Sequence, residues 1–326
     1  MKVKIPDLKK LLATKFVSSY YTVEQAEQMA EVLMYAELSG KNTQGVMKLI
    51  GSEPMQNVKP KHAPKIVKET KLSALIDGGG NAAPLVCQMA TEIVIKKCKE
   101  NGLAIVGTNN TFASSGAIGF YANKMAMNDQ IGLVFAGSPG GVSPYGGIEP
   151  LFGTNPIAFG FPTMDEPLIF DFATSAITWY GLVRAKSLGE KLPEGLAIDS
   201  DGNLTTDPEK AMKGGAILPF AKDYKSSGLS FMVEILTGPL VGGTFATPDG
   251  SGDWSNLFIA IDPNQLVGTE EFKKKCSELI NIVKNSRKQK GFDEILVPGE
   301  KSFRIRKENE QKGEIEIDDK IMGELN

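Results

Sequence analysis

Lys48, Asn155, Asp171, Tyr224 and Lys225 are polar residues set in unusually Gly-rich or apolar surroundings, which makes them the first candidates for chemistry in this sequence. Lys48 and Lys225 can each anchor an anion as a point charge. Asp171 sits inside LIFDFATS, where a carboxylate is desolvated unless paired; such an environment marks a site candidate, although structural ion pairs look the same in a sequence. The stretch SGKNTQGVMKL (residues 39–49) adds Thr43 and Gln44 just before Lys48, but nothing in it titrates near neutral pH. The single histidine, His62, lies in the loop-like run KPKHAPK and reads as solvated, so neither a Ser-His-Asp triad nor a histidine-based metal site can be assembled.

Other motifs carry less. DSDGN (199–203) opens like a calcium loop, but no glutamate follows at the twelfth position, so it reads as a polar turn, as does TPDGSGDW (247–254). No metal site is expected. GGGN (78–81) and GAIG (116–119) lack the spacing of a G-x-G-x-x-G phosphate loop, and there is no Walker sequence; a dinucleotide would have to be bound without the Rossmann fingerprint. Cys87, Cys98 and Cys276 are odd in number and without C-x-x-C spacing, which argues against a disulfide framework and for a reducing, cytoplasmic setting.

The elements that must position these residues follow from periodicity. Pro6 opens a helix with apolar Leu8, Leu11, Leu12 and Phe16. Thr22 and Gln25 form a capping box for a second helix, whose stripe is Ala26, Met29, Ala30 and Leu33 and whose end is Gly40. LSALIDGGG reads as strand and turn, residues 84–101 as a helix closed by Gly102, LAIVG as a strand, residues 116–130 as helical and IGLVFAG as a strand. Residues 136–170, rich in Gly and Pro, are either backbone-driven loops at a site or turns between strands. LIFDF and LFIAID read as strands, residues 230–243 as an apolar helix, residues 272–284 as an amphipathic one and the tail as folded. The class is α/β or α+β, without internal repeats.

A chain of 326 residues with net charge −3, 41% hydrophobic and 23% charged residues, fits a soluble globular protein of roughly two domains. Nothing favours nucleic acid, since no basic run carries interleaved aromatics. No apolar stretch approaches the ~20 residues of a bilayer span, and the basic, amphipathic N-terminus lacks the apolar run of a signal peptide.

Taken together these segments resemble the malate/L-lactate dehydrogenase family, which also holds sulfolactate and ureidoglycolate dehydrogenases, 2,3-diketogulonate reductase and cyclic-imine reductases. SGKNTQGVMKL resembles its Gly-x-x-Ser-His-Gly-Val-x-Arg-Leu stretch, SPYGGIEPLFGTNPIAFGFP its Pro-Trp-Gly-Gly…Gly-Thr-Asn-Pro loop, and FDFATSAITWYG its Asp-Met-Ala-Thr-Ser segment. Residues 202–236 resemble its Thr-x-Asp-Pro…Leu-Pro…Lys-Gly-x-Gly-Leu region, and ILVPGEKSF its Pro-Gly-Glu tail. The motifs keep the family's order over essentially the whole chain.

The resemblance implies an NAD(P)-dependent oxidoreductase with a non-Rossmann fold, a mainly antiparallel central sheet and a homodimeric state. It implies a helical domain of residues 1–70 joined by 290–326, and a cofactor and substrate domain of 71–289. The cofactor, NAD or NADP, would lie along Phe170, Asp171, Phe172, Ala173, Thr174, Ser175 and Ala176, with Asn155, Tyr224, Lys225, Gly299, Glu300 and Lys301. The substrate would be a small 2-oxo or 2-hydroxy acid, or a cyclic imino acid. The family's histidine proton donor aligns with Gln44, with Thr43 replacing its serine; its carboxylate-gripping arginine aligns with Lys48, and a second histidine falls near Ser114. An amide can hold an oxyanion but cannot release a proton at neutral pH. Two readings follow: a reductase whose proton comes from Lys225, Asp171 or water, or acts on an imine that arrives protonated; and a catalytically impaired member kept for cofactor or partner binding, of which a structural subunit pairing with an active paralogue is a variant.

Overall fold

The computed structural model describes residues 1–17, 20–50, 54–247 and 252–325, so most of the tip of TPDGSGDW (248–251) lies outside the described residues. The helices are α1 (Ile5–Phe16), α2 (Val23–Leu38), α3 (Ala83–Asn101), α4 (Gly119–Ala126), α5 (Trp179–Leu188), α6 (Pro208–Met212), α7 (Tyr224–Thr237), α8 (Thr269–Lys284), α9 (Glu300–Lys312) and α10 (Asp319–Leu325). The strands are β1 (Lys2–Lys4), β2 (Lys65–Glu69), β3 (Ser73–Asp77), β4 (Leu103–Thr111), β5 (Ile131–Ala136), β6 (Ile157–Phe161), β7 (Leu168–Phe172), β8 (Ala197–Ile198), β9 (Leu204–Thr205), β10 (Ala216–Ile217), β11 (Trp254–Ile261) and β12 (Glu314–Glu316).

Seven strands form the central sheet in the order β2-β3-β4-β11-β5-β6-β7. Only β3 and β4 run parallel, which requires the long crossover that α3 supplies; the other neighbours are antiparallel, as expected from the resemblance. α3 and α4 cover one face through Val86, Ala90, Val94, Tyr121 and Met125, packed on Phe258 in the middle of β11. α4 lies close to the sheet because Gly160 has no side chain there: a Cβ would stand 2.3 Å from the Ala122 carbonyl oxygen.

A second core joins the two chain ends. Leu8, Leu12 and Phe16 of α1 and Met29, Ala30 and Leu33 of α2 pack with Ile315, Ile321, Met322 and Leu325. β1 pairs with β12, Val3 opposite Ile315. The expected capping box is present in α2: Gln25 N–H donates to Thr22 Oγ1 at 3.2 Å, and Thr22 N–H donates to Gln25 Oε1 at 3.0 Å. A third, smaller core gathers α5 and α6 against a sheet of two-residue strands in the order β10-β8-β9.

Three expectations shift. The Gly- and Pro-rich segment 136–170 contributes β6, a full member of the central sheet. The apolar helix expected from residue 230 begins at Tyr224, because Asp223 caps it by accepting the Ser226 N–H at 2.8 Å. The helix expected over 116–130 is confined to α4. Asp199 organises a polar turn as expected, accepting the N–H groups of Asp201 and Asn203.

Candidate active site

The turn after α2 is built on a buried carboxylate. Glu37, near the end of that helix, is 3% exposed, and its Oε1 accepts the Val46 N–H at 2.6 Å. Gly45 makes room for it: a Cβ there would lie 2.2 Å from Glu37 Oε1. Burial pushes the Glu37 carboxyl up to about 7, and the Val46 bond opposes part of that rise. Two short 3₁₀ turns, Asn42–Gln44 and Val46–Leu49, ride on this support and carry Thr43, Gln44 and Lys48.

These three residues line a cavity of about 630 Å³, a size suited to a small-molecule site. The opposite wall is the end of β7, with Asp171, Phe172 and Ala173; Ser114, the backbone run 137–141 and Trp179, Tyr180 and Trp254 complete it. Asp171 is paired: Lys41 Nζ lies 2.5 Å from its Oδ2, which also accepts the Gly119 N–H at 3.1 Å. Its Oδ2 is thus engaged by both Lys41 and the Gly119 N–H. Lys48 is 2% exposed, its Nζ 3.5 Å from the centre of the Tyr180 ring, and among the described residues it forms no salt bridge. Desolvation holds its pKa well below that of an ordinary lysine. Gln44 Nε2 reaches Thr43 Oγ1 at 3.5 Å, and Ser114 Oγ accepts the Gly116 N–H at 3.2 Å.

The cavity thus brings together Thr43, Gln44, Lys48, Ser114, Asp171, Phe172 and Ala173. The other residues expected at the site do not line this cavity. Phe170 stacks on Phe172 with ring centres 4.6 Å apart, and Phe172 meets Phe220 edge-on. The Thr174 hydroxyl donates to the Asn155 carbonyl at 3.0 Å, the Ser175 hydroxyl donates to the Ile177 carbonyl, and the Ala176 N–H donates to the Leu218 carbonyl, so their polar groups hold the loop. Asn155 is fully buried behind the wall and donates to Glu234 Oε2 at 2.6 Å. Tyr224 and Lys225 are exposed at the start of α7. Gly299 docks on β7, where a Cβ would stand 2.6 Å from the Ile169 carbonyl oxygen; Glu300 is held by Lys284 and Arg304, and Lys301 is exposed. His62 is distant in role: its Nε2 lies 3.4 Å from Asp77 Oδ2 on β3 and it does not line the cavity.

Sequence reasoning missed Lys41, Glu37, Tyr180 and Trp179. Lys41 stood inside the singled-out stretch 39–49, and Trp179 and Tyr180 close FDFATSAITWYG; only their partners, far along the chain, give them a role.

The whole chain, from residue 3 to 326, matches the model of the malate/L-lactate dehydrogenase family, and the protein belongs to that family of oxidoreductases. It is 38% identical over 313 residues to L-sulfolactate dehydrogenase of Methanocaldococcus jannaschii, covering 93% of this chain and 89% of the relative. The solved structure of sulfolactate dehydrogenase from that organism superposes with a TM-score of 0.84 at 35% identity, over 100% of this chain and 95% of the other. Ureidoglycolate dehydrogenase (NAD(+)) of Escherichia coli K12 is 30% identical, covering 92% of this chain and 88% of the relative. A Delta(1)-pyrroline-2-carboxylate/Delta(1)-piperideine-2-carboxylate reductase of Pseudomonas putida is 29% identical, covering 99% and 96%. The dehydrogenase family implies a nicotinamide cofactor. The donor set fits one. Aromatic faces at Phe172, Trp179 and Trp254 suit a flat ring, and Gly137, Gly140 and Gly141 bring backbone without side chains to the cavity wall.

Proposed function

We propose that this protein moves hydride between NAD(P) and a small anionic 2-oxo or 2-hydroxy acid bound in the cleft between the 42–49 turns and the end of β7. One observation carries this reading: Lys48, a buried cation donor with no carboxylate partner among the described residues, faces the same cavity as Gln44 and the 171–173 segment. An anion entering there meets a point charge and an amide able to hold a carbonyl oxygen. The relatives' names support both oxo acids and cyclic imino acids as the substrate class. We read the cofactor, NAD or NADP, as lying along the 170–176 segment, with Asn155, Tyr224, Lys225 and residues 299–301 as further contacts expected from the resemblance. We further read the chain as a homodimer working in the cytoplasm, with residues 1–70 and 290–326 as one domain and 71–289 as the other.

The test is a fluorescence titration with NADH and NADPH, followed by a screen of small 2-oxo acids, sulfonated 2-oxo acids and cyclic imino acids. Turnover of any of these supports the reading; absence of binding to either reduced cofactor ends it. A second reading, a cofactor-binding member without turnover, is favoured by the lack of any imidazole at the cavity, and it predicts binding with no turnover on the entire screen.

A further inference from the structure

Reduction of a carbonyl needs a proton at oxygen, and the cavity offers few sources. Its described titratable side chains are Lys41, Lys48, Asp171 and Tyr180. Lys41 and Asp171 are committed to each other. Tyr180 presents its ring to Lys48. Lys48 is buried within the cleft and forms no salt bridge among the described residues.

We propose that Lys48 is the proton donor of this oxidoreductase, its ammonium protonating the carbonyl oxygen of a bound 2-oxo acid while Gln44 holds that oxygen through its amide N–H. This rests on the reading of the site given above. The geometry supports the pairing of roles. Gln44 and Lys48 sit on consecutive 3₁₀ turns, the second closed by the Lys48 N–H donating to the Gly45 carbonyl at 2.9 Å, and both line one cavity. A bound reduced nicotinamide would supply hydride to the carbonyl carbon, and the C=O π electrons would then pass to oxygen. That oxygen takes the ammonium proton, leaving a hydroxy acid, the oxidised cofactor and a neutral amine, which regains a proton from solvent. The charge history fits a buried amine. An anionic substrate brings the countercharge that favours the ammonium; once the proton has left, the amine is neutral in a dry setting that favours neutrality. Arginine could hold the same anion but could not release a proton.

The groups packed around Lys48 are few. α2 contributes Glu37 beneath the turn, the 42–44 turn contributes neutral Gln44 with Lys41 nearby, and α5 contributes Tyr180, while Arg184 of that helix pairs with Glu190. From α10, Ile321, Met322 and Leu325 are buried, and Asp319, Lys320 and Glu324 are exposed. The 55–57 turn brings Met55 and Gln56, whose amide donates to the Leu49 carbonyl. A basic limb in the rate profile can therefore be assigned among Lys48, Glu37 and Tyr180 by substitution.

The experiment compares wild type, Lys48→Arg and Lys48→Met for NAD(P)H affinity and for kcat and KM on the best 2-oxo acid between pH 5.5 and 10. A proton donor predicts that kcat of Lys48→Arg falls by about 100-fold or more while KM moves little and the basic limb disappears. Lys48→Met, which removes the desolvated amine and is the safer variant for folding, loses turnover alike while still binding NAD(P)H. If Lys48→Arg keeps kcat within about threefold of wild type with the same limb, or Lys48→Met alters KM alone, Lys48 is a charge clamp and the proposal is overturned. A wild-type protein that neither binds cofactor nor turns over substrate defeats the functional reading itself, and this role with it. Wild-type turnover with active variants defeats the Lys48 role only.

Discussion

Lys41 Nζ lies 2.5 Å from Asp171 Oδ2, tying the turn after α2 to the end of β7 across the mouth of the cleft. The two residues are 130 positions apart, and their side chains are 27% and 10% exposed, so the pair is partly desolvated. Exposed pairs are worth little, but breaking a buried one leaves an uncompensated charge. Asp171→Asn should therefore cost about 2 kcal/mol. In a double-mutant cycle with Lys41→Met, read by urea unfolding, the coupling should exceed about 1 kcal/mol. Additive single effects would mean that the pair does not clamp the cleft.

Asn155 supports the cleft from behind. Its backbone is left-handed, with φ of 40°, a conformation asparagine tolerates better than most residues. Its amide nitrogen donates to Glu234 Oε2 at 2.6 Å and to the Ser230 carbonyl at 3.1 Å, fastening α7 to the loop. Asn155→Ala removes the donor from a buried carboxylate whose other oxygen accepts the Ala246 N–H, and should cost about 3 kcal/mol, seen as a lower urea midpoint at unchanged m-value. Asn155→Asp should be worse, since it sets a second carboxylate against Glu234. A variant as stable as wild type would show that water or rearrangement replaces this bond.

The contrast between Lys41 and Asn155 explains what could be read in the chain. Elements encoded locally were legible: the Thr22–Gln25 capping box, the α1 stripe, the Gly102 stop with φ of 83° and the LIFDF strand all depend on neighbours within a few residues. Asp171 could be marked as needing a partner, yet nothing in the sequence said that the partner was Lys41. β6 was hidden in a Gly- and Pro-rich run because Gly160 serves the close approach of α4 and does not mark a turn. The two-residue strands of the small sheet offer too few positions for a period-two pattern. The resemblance implied a mainly antiparallel sheet, but the strand order depends on pairings between distant segments that no local pattern encodes.

Among the described residues, α7 has an apolar face that nothing covers. Phe231 and Met232 are each 49% exposed and Ile235 40%, with Leu240 and Phe245 beyond the helix also exposed. A contiguous apolar surface of this kind marks a contact site, and a second copy is the occupant that the homodimer reading supplies. Sedimentation velocity should give a dimer for wild type and a shift toward monomer for Ile235→Glu. A monomeric wild type at micromolar concentration would remove the homodimer from the functional reading.

Glu37 makes the stability of the turn depend on pH. Its carboxyl is pushed up to about 7 in the folded chain against an ordinary value of 4.5, by burial. Between those two values the folded state keeps a proton that the unfolded state has lost, so unfolding free energy falls as pH rises through this window. The stability that protonation confers is complete below about 4.5 and gone above about 7, a span of roughly 3 kcal/mol at most. Glu37→Gln removes the titration while its amide oxygen can still accept the Val46 N–H. The stability of the variant relative to wild type should therefore rise from pH 5 to pH 8, measured by urea unfolding at both. Because other carboxylates titrate in parallel in the two proteins, only the difference between them reports Glu37. An equal difference at both pH values would show that this carboxyl is ionised, or unburied, in the folded protein.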